Sequence, residues 1–137
     1  MVHALNEIRR ILKPGGKLID VRPLEAGWPV EIAAASGVVE AGRLVDLPVA
    51  VADDEAASAA MREVQSRGWF VKEREEQFSF YYYWDTPSEM KEFMDTEWEG
   101  FEKLEEGVFN TVKSIWARAN ADAQVRVSVK LLITRWG

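Results

Sequence analysis

Leu5, Ile8, Ile11 and Leu12 recur at helical spacing, which predicts an amphipathic helix over residues 4–12. Lys13-Pro14-Gly15-Gly16 stops it, because proline disfavours helical geometry in the residue before it and glycine accepts positive φ. Residues 17–22 then read as a strand through Leu18, Ile19 and Val21. Two further strands, over 29–35 and 38–47, are joined at Ser36-Gly37 as a tight hairpin, although their alanines also suit a helix. Asp53-Asp54-Glu55 reads as the cap of a helix that carries Ala56, Ala57, Ala60, Met61 and Val64 and ends near Arg67-Gly68.

Residues 69–84 follow as a long strand, with Phe78, Phe80, Tyr82 and Trp84 on one face and Tyr81 and Tyr83 on the other. Its polar run from Lys72 to Gln77 predicts a bulge or an exposed bend. Thr86-Pro87-Ser88-Glu89 opens a helix whose apolar stripe is Met90, Phe93, Met94, Trp98, Phe101 and Leu104. Val108, Phe109, Val112, Ile115, Trp116 and Ala119 mark another. The chain closes on a strand in which Val125, Val127, Val129, Leu131 and Ile133 alternate with other residues. Arg126, Ser128 and Lys130 give that strand a polar face, so helices are expected on one side of the sheet over that length. The pattern predicts a single α+β domain over residues 1–137: a mostly antiparallel sheet with helices mainly on one face.

Bulk properties narrow the partners. With 17 basic against 23 acidic residues the net charge is −6, a poor basis for binding nucleic-acid phosphates. Nine carboxylates between residues 85 and 107 face only Lys91 and Lys103, and they read as a solvated acidic helix. No apolar run is long enough to span a membrane, and the first residues lack the order of a signal peptide, so a cytoplasmic location is expected. There is no cysteine, which excludes disulfides and thiol chemistry.

Leu5, Glu7, Arg10, Leu12, Lys13, Pro14, Gly15 and Gly16, with the strand that follows, resemble the helix-to-fifth-strand segment of class I S-adenosylmethionine-dependent methyltransferases, in particular the type 11 or UbiE-like group. The resemblance implies that residues 17–21 are the fifth strand. It also implies that residues 70–84 and 125–133 are the sixth and seventh, an antiparallel pair with helices between them. The motif match covers residues 5–21, and the order of elements extends it to the whole chain. The family binds its cofactor with a glycine-rich turn after the first strand and an acidic residue ending the second. This chain contains no Gly-x-Gly. It therefore reads as the C-terminal half of a Rossmann-like methyltransferase fold, with no cofactor expected for this chain alone and no catalytic residue carried over. A fragment, a truncated relative and one subunit of a split methyltransferase all fit. An unpaired fifth-strand edge predicts a homodimer through that open edge.

His3, the single histidine, lies at the terminus without partners and reads as incidental. Glu89, Glu92, Glu99, Glu102, Glu105 and Glu106 offer helical pairs for a divalent metal, but solvated carboxylates explain them better, and no metal is expected. Asp20 needs a partner inside the sheet, which Arg22 or Arg126 can supply. Rings on both faces of the strand over 69–84 exceed what a one-sided core needs. Segments after the fifth strand and around the sixth line the acceptor-substrate pocket in the resembling family, so the resemblance implies Trp28, Tyr81, Tyr83 and Trp84 as pocket residues. Core plus interface is the favoured reading of the same rings. An alternative reading is a small-molecule-binding or isomerase-like α+β module with an aromatic pocket.

Overall fold

The computed structural model describes all residues from Met1 to Gly137. Its centre is one long strand. β7 (Gln124–Trp136) pairs antiparallel along its whole length with β5 (Lys72–Trp84) on one side. On its other side two shorter strands share its edge end to end: β1 (Leu18–Pro23) against residues 131–136, and β2 (Pro29–Ala34) against residues 124–127. β3 (Gly37–Arg43) completes the sheet as a hairpin partner of β2. Every pairing is antiparallel, and the fold is α+β. The bulge expected in the polar run of β5 occurs between Lys72 and Arg74.

Four helices pack on this sheet: α1 (Val2–Ile11), α2 (Pro48–Ser66), α3 (Pro87–Glu97) and α4 (Glu106–Arg118). The side chains of β7 show how. Val125, Val127 and Val129 are buried with Met90 and Met94 of α3 and Val112 of α4. At the other end burial changes parity, and Trp136 is buried with Leu5 of α1 and Ala60, Met61 and Val64 of α2. Successive residues of a strand face opposite sides, so the two helix pairs lie on opposite faces at opposite ends of the sheet. The one-sided cover expected beside Arg126, Ser128 and Lys130 holds there. At the far end α1 and α2 cover the reverse face, because the apolar positions of β7 and β1 switch to Trp136 and Leu18. Two quarters of the sheet surface are thus free of helix.

Several boundaries differ from the sequence reading for local reasons. α2 starts at Pro48, whose fixed φ suits the first helical position, so Asp53-Asp54-Glu55 lies inside the helix rather than capping it. The strand expected over 38–47 breaks at buried Leu44, whose N–H donates to the Trp28 carbonyl at 3.0 Å. Beyond the break β4 (Val45–Asp46) pairs with β6 (Glu102–Lys103). That small ladder removes Phe101 and Leu104 from the helix to which their spacing assigned them. Gly100, at φ +81°, makes the turn that ends α3.

Candidate functional site

The aromatic cluster forms where α3 crosses the end of β5. Thr86 and Glu89 fix the start of α3 by a reciprocal capping box: the Glu89 N–H donates to Thr86 Oγ1 at 3.2 Å, and the Thr86 N–H donates to the Glu89 carboxylate at 3.2 Å. The helix then carries Phe93 and the following Trp98 over the strand. Trp98 meets Trp28 edge-on at 5.5 Å and Tyr82 at 5.0 Å, and Phe93 meets Trp84 at 5.4 Å and Trp98 at 5.4 Å. These tilted and edge-to-face contacts are the geometry that ring quadrupoles favour.

The four rings singled out from the sequence do not share one cavity. Trp28 and Trp84 belong to this cluster on the α3 side. Tyr81 and Tyr83 lie on the opposite, helix-free face. There the Arg126 guanidinium sits over the Tyr81 ring at 4.4 Å and donates to Tyr83 Oη at 3.3 Å and to Glu31 at 3.4 Å. Lys130 reaches Glu25 at 3.3 Å on the same strand of this face. Trp84 does line a shallow depression of about 440 Å³ with Tyr83, Asp85, Glu89, Glu92, Phe93 and Thr96.

A better-formed site lies on the far side of Trp98. A cavity of about 250 Å³ is lined by Pro23, Trp28, Ala50, Asp53, Asp54, Trp98, Phe101 and Glu102. The β4–β6 ladder sets Asp46 directly opposite Glu102. Asp46 Oδ1 accepts the Gly27 N–H at 2.9 Å. Glu102 Oε2 is shielded from solvent, and no N–H or hydroxyl of the protein donates to it. Burial first, and then the neighbouring Asp46 charge, push the Glu102 carboxyl up to about 8. Near neutral pH it therefore keeps its proton. Asp54 is also raised, by burial and by Asp46, with Arg22 opposing the shift. The arrangement is a neutral carboxylic acid against indole and phenyl walls, able to give a hydrogen bond or a proton to a small apolar ligand.

The sequence placed Glu102 among solvated helical carboxylates. The β4–β6 ladder, two residues in each strand, leaves too little periodicity to be found. No three carboxylates or histidines gather in a metal-holding arrangement. Asp20 has the partner expected for it: Arg22 Nε lies 2.9 Å from Asp20 Oδ2, and Arg22 Nη1 donates to Ser58 Oγ of α2 at 2.9 Å. His3 is exposed on α1.

The residues present do not fit an S-adenosylmethionine site of the kind the resemblance implies. Each strand-to-helix turn is glycine-free: Leu47 leads into α2, Asp85-Thr86 into α3 and Leu104-Glu105 into α4. Gly15, at φ +79°, turns the chain from helix to strand instead. No known protein family, curated protein or solved structure matches this chain.

Proposed function

We propose that this chain is a methyltransferase-like half-domain that carries no S-adenosylmethionine site, performs no methyl transfer by itself and acts as a homodimer. One observation carries the reading. β1, which follows the Lys13-Pro14-Gly15-Gly16 turn, and β5 both pair antiparallel with β7, and α3 and α4 separate β5 from β7 along the chain. An antiparallel sixth and seventh strand separated by helices is what the resemblance implies. The glycine-free strand-to-helix turns support the cofactor-blind part, since backbone cannot approach a cofactor closely at such turns without a residue lacking Cβ. Two features support self-association: the unpaired outer edges of β1 and β5, and the exposed apolar side chains that the same two strands carry.

Calorimetric titration with S-adenosylmethionine and S-adenosylhomocysteine tests the cofactor-blind part. The expected result is no saturable heat at millimolar ligand. Saturable micromolar binding contradicts it, and copurification of a second chain supplying the cofactor half favours the split-enzyme form.

The cavity at Glu102 favours a second reading, a small-molecule-binding module. In that case a ligand with an apolar body and one hydrogen-bond acceptor binds near neutral pH, and Glu102→Gln, which keeps a donor, retains binding while Glu102→Ala loses it.

A further inference from the structure

β1 has its polarity reversed. Its Asp20 and Arg22 side chains, 16% and 21% exposed, turn toward α2, while Ile19 and Val21 stand 52% and 49% exposed on the other side. The strand register sets Val21 opposite Ile133 of β7 and Ile19 opposite Arg135, while Leu131 and Val129 face Phe78 and Phe80 of β5 on the same side of the sheet. Phe78 and Phe80 are 42% and 44% exposed. This quarter of the sheet is one of the two free of helix. Arg74, Glu76 and Arg135 bring both signs to the end of this face, where with Ile19 and Ile133 they line a shallow depression. A contiguous apolar patch with a polar rim is the signature of a protein–protein contact.

The surface area says how much is left to cover. A compact monomer of 15.6 kDa exposes about 7,250 Å², whereas this chain exposes 8417 Å², an excess of about 1,200 Å². A standard interface removes about 800 Å² from each partner, so the excess is large enough for one interface. A second copy of the same chain suits this surface. It presents a sheet of identical twist, which permits aligned face-to-face packing about a two-fold axis.

We infer that the sheet face bearing Ile19, Val21, Leu131, Ile133, Phe78 and Phe80 is the homodimer interface, two copies packing face to face rather than joining strand edges. The inference rests on the dimeric part of the proposed function and is independent of the methyltransferase part, which the cofactor titration tests separately.

Sedimentation equilibrium on Val21→Glu and Phe78→Glu tests it, with circular dichroism to verify folding. Both residues are exposed in the single chain, so the expected result is a folded protein of single-chain mass where the parent is a dimer. Dimers persisting in both variants overturn the face and leave the dimeric half-domain standing. A parent that stays monomeric overturns both. Hydroxyl-radical footprinting of the unaltered protein decides the matter if the variants fail to fold. Oxidation of Phe78 and Phe80 falls severalfold as concentration carries the protein from monomer to dimer, while Tyr81 and Tyr83 on the opposite face remain equally reactive. Unchanged reactivity of Phe78 and Phe80 in the dimer overturns the face, as edge pairing or a different occupant would require.

Discussion

Glu102 shows how one residue takes its chemistry from an element that the sequence conceals. A carboxyl with a folded pKa near 8 and an unfolded value near 4.5 binds more protons in the folded state between those values. Stability from this group is therefore fully present below about pH 4.5 and is lost as pH rises through about 8. Urea unfolding at pH 6 and pH 9 is expected to show this fall, and Glu102→Gln is expected to flatten it, gaining about 1 kcal/mol or more at pH 9 by removing a buried charge. An unchanged pH dependence in the variant contradicts the assignment. The Arg22–Asp20 pair was legible, because a carboxylate alternating with an arginine within one strand shares its face. The Glu102–Asp46 pair was not, since its partners stand far apart in the chain and meet only through a two-residue ladder.

Among the elements, strongly periodic segments were readable and short ones were not. β5, β7 and α4 are marked by long apolar repeats, and their positions follow from them, whereas α3 starts at its expected cap but stops at Glu97, short of Phe101 and Leu104. The start of α2 was misplaced because Asp53-Asp54-Glu55 has capping chemistry, whereas Pro48 supplies the first turn and leaves those acids beyond it, inside the helix. Three substitutions test the seating of these elements. Gly42 of β3 lies so close to α4 that an added Cβ would stand 2.8 Å from Val108 Cγ1, so Gly42→Ala is expected to cost about 1–3 kcal/mol in chemical denaturation. Met90 is fully buried between α3 and the sheet, and Met90→Ala is expected to cost about 2–5 kcal/mol. Thr86→Ala, which breaks the capping box of α3, is expected to cost about 1 kcal/mol. Losses well below these values would mean that α3 and α4 sit less tightly on the sheet than described.

At the scale of the molecule, only 18 of 137 residues are buried, and the two apolar clusters sit on opposite faces of a single sheet without merging. The helices cover two diagonal quarters of that sheet. One uncovered quarter is polar, with Arg126, Tyr83 and Glu31 bonded among themselves, and is suited to water. The other is apolar and is not. Strand alternation alone distinguishes two faces but cannot say which part of each face a helix will reach. The antiparallel α+β sheet was therefore legible, while the unfinished quarter and the division of Trp28 and Trp84 from Tyr81 and Tyr83 required the packing of the helices.

A second copy that completes this surface would hide the exposed apolar row of β1 and β5 from water. Sedimentation equilibrium of the unaltered protein across a wide concentration range measures that directly. The account predicts a mass twice the 15.6 kDa of one chain, reversibly halved on dilution. A single species of one-chain mass at every concentration, with Ile19, Val21 and Phe78 in water throughout, would contradict it.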